Sequence, residues 1–122
     1  MLKTILIVDD EPDVLKLAEI RLRKWGYEII TASDGQNGLE LIRNQKPDLV
    51  LLDLRLPNMD GVEVCRQVKN DKELKHITVI LFTATEDMAV ATMAKEHGAD
   101  DYIVKPYEPE ELLEKVKRFI GE

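Results

Sequence analysis

Cysteine is almost missing from this chain of 122 residues: Cys65 stands alone, so no intrachain disulfide can form. Long apolar runs are missing too, none approaching the ~20 residues that a membrane-spanning helix needs. The N-terminus offers only the short run Ile5 to Val8 before it meets acids, which does not read as a secretory signal peptide. Basic residues are the minority: 17 Lys and Arg against 24 Asp and Glu give a formal net charge of −7. A phosphate backbone or an anionic membrane surface is therefore repelled on average. Direct nucleic-acid binding and membrane association are not expected, and the expected location is the cytoplasm. No Pro-, Gly- or Ser-rich linker and no low-complexity stretch divides the chain. What is present is one domain's length, with an expected radius of gyration of roughly 14 Å. Its 44% apolar residues suffice to fill one core without a disulfide or a structural metal.

Those apolar residues are grouped. A short, largely apolar, β-branched-rich run followed by a longer amphipathic segment recurs five times. The runs are Ile5 to Val8, Glu28 to Thr31, Leu49 to Leu52, Val79 to Phe82 and Tyr102 to Val104. Strands covered by helices on both faces need such continuous apolarity, so the pattern indicates a parallel α/β sheet. Helices are expected at about residues 12–25, 35–44, 61–70, 86–97 and 109–120. In the first, Pro12 suits the opening turn and Gly26 a left-handed stop. Val14, Leu17, Ala18, Leu22 and Trp25 form its inward stripe, leaving Leu15 and Ile20 off it. In the last, Leu112, Leu113, Val116, Phe119 and Ile120 face inward. Cys65 falls with Val64 and Val68 on the inward side of the third and packs as a small hydrophobe.

In an open doubly wound sheet, ligands bind outside the carboxyl ends of the strands. The first apolar run ends in Asp9-Asp10, the third in Asp53, the fourth in Thr83 and the fifth in Lys105-Pro106. Taken singly, Asp9 or Asp10 reads as a helix cap before Pro12, Thr83 as a strand end and Lys105 as a solvated charge. Their occurrence together at four of five strand ends argues for a shared site. Two like charges 4 Å apart repel by about 4 kcal/mol at an effective dielectric of 20, and a hard divalent cation removes that cost. Oxygen-only ligands with no His or Cys nearby in sequence favour Mg²⁺ or Mn²⁺ over Zn²⁺. Lys105 and the Thr83 hydroxyl then suit the oxygens of a phosphoryl group, and a carboxylate among them can accept phosphate covalently.

With those residues in place, the chain resembles the receiver domain of two-component response regulators over essentially all its length. The resemblance rests on Ile7-Val8-Asp9-Asp10-Glu11, on the run from Leu51 through Asp53, Arg55 and Pro57 to Gly61, on Thr83-Ala84, and on Gly98 through Tyr102 to Lys105-Pro106. It implies a flavodoxin-like three-layer sandwich, a five-stranded parallel sheet in the order 2-1-3-4-5 with five helices. It implies Asp53 as phosphoacceptor assisted by Lys105 and Thr83. Asp10, Asp53 and the backbone carbonyl of Arg55 would be Mg²⁺ ligands, with Asp9 acting mainly through water. It further implies Thr83 and Tyr102 as a switch pair and a cis peptide before Pro106. Arg55 and Thr85 stand where the family tunes phosphoryl lifetime, and an Arg55 covering the acyl phosphate gives an expectation of a long one. Leu56 and Tyr107 depart from the family's frequent Met and Phe without touching chemistry.

The implied partners are a histidine kinase or phosphotransfer protein, or a small acyl phosphate as donor. A downstream effector would use the face made by the fourth helix, fifth strand and fifth helix. Leu15, Ile20, Pro106 and Tyr107 are candidates for the kinase-docking surface, and His76 and His97 read as bystanders. The expected state is a monomer or a phosphorylation-dependent dimer. Residues 1–122 form one receiver domain on this reading, chemotaxis-regulator-like and stand-alone. A haloacid-dehalogenase-like phosphatase would want a second Asp where Arg55 stands. A small flavoprotein would want a Ser-, Thr- or Gly-rich phosphate loop where Asp9-Asp10-Glu11-Pro12 would repel the phosphate. A receiver-like module that takes no phosphate would be expected to lack one of the acids or Lys105.

Overall fold

The structure is a computed structural model that describes residues 2–96 and 98–121, with the side chains of Thr85 and Met93 excepted. His97 lies outside the described residues. Five strands alternate with five helices: β1 (Thr4–Val8), α1 (Pro12–Lys24), β2 (Glu28–Ala32), α2 (Gly35–Gln45), β3 (Leu49–Asp53), α3 (Gly61–Lys69), β4 (Thr78–Ala84), α4 (Met88–Glu96), β5 (Asp101–Lys105) and α5 (Pro109–Ile120). A 3₁₀ turn, Thr85–Asp87, leads into α4. All neighbouring strands are parallel, in the order β2-β1-β3-β4-β5.

Because side chains alternate across a strand, each apolar run serves two cores. Leu6, Val8, Val50, Leu52, Val79 and Leu81 pack with α2, α3 and α4 on one face. Ile5, Ile7, Leu49, Leu51, Ile80, Phe82 and Ile103 pack with α1 and α5 on the other. Register then fixes the site: Val8 pairs with Leu52, Asp53 with Phe82 and Ala84 with Lys105. The carboxyl ends of β1, β3, β4 and β5 therefore finish level, on the two sides of the β1/β3 junction where the winding reverses.

Helix α1 differs from its expected stripe. Ala18 and Leu22 are buried, while Leu17 is 50% exposed. One residue turns a helix by about 100°, so Leu17 lies a quarter-turn away from the Ala18–Leu22 line. Leu15, expected off the stripe, packs partly buried against the core beneath α1 and α5. Ile20 is 53% exposed, as expected. The helix ends at Gly26 with φ +100°, a conformation open to glycine at little cost. Among the described residues, no helix is long and apolar enough to cross a membrane.

Candidate functional site

Beyond the ends of the strands, three acids and a lysine converge. Carboxylate oxygens of Asp9, Asp10 and Asp53 lie within 4.8 Å of one another. Asp9 is wholly buried and Asp10 exposed, with Asp53 between. The Lys105 ammonium donates to Asp9 Oδ2 at 2.9 Å and to Asp53 Oδ2 at 3.1 Å. Backbone completes the frame: the Glu11 N–H donates to Asp9 Oδ1 at 3.0 Å and the Arg55 N–H to Asp53 Oδ1 at 3.3 Å. The first helix thus starts without a side-chain cap of its own, since Glu11 occupies the cap position and Asp9 receives its N–H.

Burial pushes the Asp53 carboxyl above its ordinary pKa; the Asp9 charge adds to the rise, and Lys105 pulls against it. Burial alone would lower the Lys105 ammonium, but the hydrogen bond to Asp9 and the charges of Asp53 and Asp9 outweigh it and hold its pKa raised. Its Nζ also lies 5.3 Å from the centre of the Phe82 ring, which stacks on Tyr107 at 5.4 Å. The Lys105–Pro106 peptide is cis.

Thr83 and Tyr102 share a sheet face. Leu81 pairs with Tyr102, and Thr83 is two residues further along β4, so the two are diagonal neighbours on the α4 side. Thr83 is buried and its hydroxyl donates to the Ala84 carbonyl at 3.1 Å. Tyr102 is half-buried against that core, with Lys95 Nζ 5.9 Å from its ring centre. The Thr85 side chain lies outside the described residues.

Arg55 is placed by a residue that sequence reasoning missed. Its Nε and Nη2 donate to the two carboxylate oxygens of Asp87 at 2.8 and 2.6 Å. An acid in the turn before a helix reads as ordinary complement to the helix dipole, and nothing in the sequence pairs it with Arg55. Two further networks were also missed. Lys69 Nζ donates to Asp100 and to the carbonyls of Lys75 and Ile77, and Asp101 accepts from Lys115 at 2.9 Å.

The acidic cleft, about 310 Å³, is lined by Asp10, Glu11, Asp53, Arg55, Ala84, Glu86, Asp87 and Lys105. The larger adjoining groove of about 470 Å³ is walled mainly by Leu54, Leu56, Pro57, Val62 and Val90. Asp10, Arg55 and Asp87 line both spaces, while Asp53 and Lys105 line the smaller one. Geometry of this kind, oxygen ligands and one ammonium at the switch point of a doubly wound sheet, suits a phosphoryl group and a hard cation.

Comparison with known proteins gives the same class. The profile of the response regulator receiver domain matches residues 5–117. The alkaline phosphatase synthesis transcriptional regulatory protein PhoP of Bacillus subtilis (strain 168) is 40% identical over 120 residues, covering 98% of this chain and 49% of PhoP. The chain thus spans about half the length of this curated relative. Among solved structures, a candidate response regulator from Chloroflexus aurantiacus J-10-fl superposes with a TM-score of 0.93 at 35% identity, covering all of both chains. The receiver domain of sensor histidine kinase PA1611 from Pseudomonas aeruginosa PAO1, solved with magnesium coordinated in its active-site cleft, gives 0.90 at 29% identity, also over all of both chains. The chain belongs to the response regulator receiver domain family, a class of signalling phosphoacceptors rather than conventional enzymes.

Proposed function

We propose that this chain, residues 1–122 as one receiver domain, accepts a phosphoryl group on Asp53 from a histidine kinase or phosphotransfer protein. The observation that carries the reading is the convergence of Asp9, Asp10 and Asp53 on one lysine at the ends of β1, β3 and β5. The donor set fits Mg²⁺ or Mn²⁺: all-oxygen, drawn from few residues and more negative than one ammonium balances. Asp10 and Asp53 would hold the cation directly, the Arg55 carbonyl would add a ligand, and Asp9 would act mainly through water. When bound, the cation neutralises phosphoryl oxygens and orients them.

The chain's own groups supply the rest. An Asp53 carboxylate oxygen attacks phosphorus, the bond from phosphorus to the donor imidazole nitrogen breaks, and that nitrogen keeps the electron pair. Lys105, already bridging Asp9 and Asp53, offers its ammonium to the transferred oxygens. In the switch reading, the Thr83 hydroxyl exchanges the Ala84 carbonyl for a phosphoryl oxygen and Tyr102 turns inward from the α4 side. The face of α4, β5 and α5 then meets an effector protein, and the protein is a monomer or a phosphorylation-dependent dimer. The apolar groove of Val14, Leu17, Pro106 and Tyr107 beside Lys105 is the proposed dock for the kinase helices, with exposed Ile20 on the same helix. The reading places the chain in the cytoplasm and gives it no nucleic-acid surface of its own.

Intact-mass measurement after incubation with acetyl phosphate tests this. The expected result is one added phosphoryl group with Mg²⁺, none with EDTA and none in Asp53→Asn. A wild type that gains no phosphoryl and binds no beryllofluoride would leave the fold with an interaction role only.

A further inference from the structure

We propose that Asp87 is a positioning residue that withholds the Arg55 guanidinium from the phosphoryl group on Asp53, keeping the phosphorylated state short-lived. The inference rests on the phosphoacceptor reading of Asp53. Arg55 is tied to that residue by its backbone N–H, so its side chain starts at the edge of the cleft. The two oxygens of Asp87 engage the Nε–Nη2 edge of the guanidinium and so hold the group by its side-on fork, leaving Nη1 outside that pair. The partners are unequal: the Asp87 side chain is 12% exposed and Arg55 73%. The acid is therefore the fixed member, standing in the turn that follows β4, and the arginine is the movable one. Glu86, on the same turn and exposed, makes no hydrogen bond to Arg55 among the described residues.

A planar guanidinium edge satisfies one carboxylate or one phosphoryl group bidentately, not both at once. Asp87 and a phosphorylated Asp53 line the same cleft as Arg55 and so compete for that edge. While Asp87 holds it, water keeps its approach to phosphorus. Hydrolysis adds the water oxygen to phosphorus, breaks the bond from phosphorus to the Asp53 oxygen, and returns the carboxylate and inorganic phosphate. An arginine released from Asp87 would lie over the phosphoryl oxygens and obstruct that approach. The covering role expected for Arg55 is thus conditional on its neighbour.

The test charges wild type, Asp87→Asn, Asp87→Glu, Arg55→Ala and the Asp87→Asn/Arg55→Ala double variant with acetyl phosphate and Mg²⁺. The donor is then removed and phosphoryl loss followed by intact mass. Asp87→Asn is expected to lose its phosphoryl about two- to fivefold more slowly, the population change that a surface ion pair sets. Asp87→Glu keeps a carboxylate for Arg55 and should decay like wild type, and the double variant should decay like Arg55→Ala. Slowing of the same size with and without Arg55, or faster decay in Asp87→Asn, overturns the proposal while the phosphoacceptor reading stands. A wild type that takes up no phosphoryl overturns both.

Discussion

Lys105 is one ammonium facing two carboxylates, 2.9 Å from Asp9 and 3.1 Å from Asp53. Of the two acids Asp53 is the partly buried one, at the end of β3. Its pKa is raised, burial being the largest cause. A carboxyl whose native pKa lies above its unfolded value holds its proton more tightly when folded. Its contribution to stability is therefore fully present below about 3.9 and is lost as pH rises through the native value. At neutral pH the ionised Asp53 weighs against folding. Asp53→Asn is thus expected to raise the thermal midpoint of the EDTA-treated protein at pH 7, and the gain should shrink as pH falls towards 4. Thermal unfolding of both proteins across that range checks it; a midpoint lowered at pH 7 would show that the lost Lys105 contact outweighs the relieved charge. The same cause acts on Cys65, where burial pushes the thiol up to about 11, and it packs as the small hydrophobe its position implied.

At the scale of elements, the position of Asp53 depends on how closely the start of α3 approaches the end of β3. A Cβ at Gly61 would overlap the Asp53 carbonyl oxygen and lie 2.9 Å from the Leu54 Cα, both backbone and unable to swing aside. The Gly61 N–H also donates to the Leu54 carbonyl at 2.9 Å. Gly61→Ala should cost about 2 kcal/mol, the range of overpacking strain, and displace Asp53 relative to Lys105. Denaturant unfolding gives the first quantity, and amide shifts of Asp53 to Arg55 give the second; unchanged shifts with full stability would refute the close-approach account. This contact was not legible in the sequence, where Gly61 only opens the third expected helix. The elements themselves were legible because strands buried on both faces must be continuously apolar, and helix ends fell within a few residues of expectation. The α1 stripe was misplaced because Leu17 and Leu15 flank the Ala18–Leu22 line on opposite sides, and only the tilt of the packed helix decides which is covered. Pairs such as Arg55 with Asp87 or Lys69 with Asp100 stayed hidden for a related reason: each joins segments that only the folded sheet makes neighbours.

For the whole molecule, the site and the net charge of −7 make separable demands on stability. Self-repulsion among dispersed surface charges is relieved by any salt, over a screening length of about 8 Å at physiological ionic strength. The cluster of Asp9, Asp10 and Asp53 exists only when β1 and β3 are paired, so a divalent cation held there binds the native state and not the unfolded chain. Ligand at a hundred times its dissociation constant then adds about 2.7 kcal/mol of stability. For a domain of this length that corresponds to a rise in thermal midpoint of roughly 10 °C. The rise should appear with MgCl₂ and fail to appear with NaCl at equal ionic strength. Asp10 is the member to remove, because it is exposed and, among the described residues, contributes no hydrogen bond to the Lys105 network, so Asp10→Asn should leave the fold intact while deleting one of the proposed ligands. That variant should keep the small shared response to both salts and lose the magnesium-specific increment. Equal midpoints in the two salts for the wild type would mean that the acids are spaced by charge screening alone, and the cation would lose its place in the site.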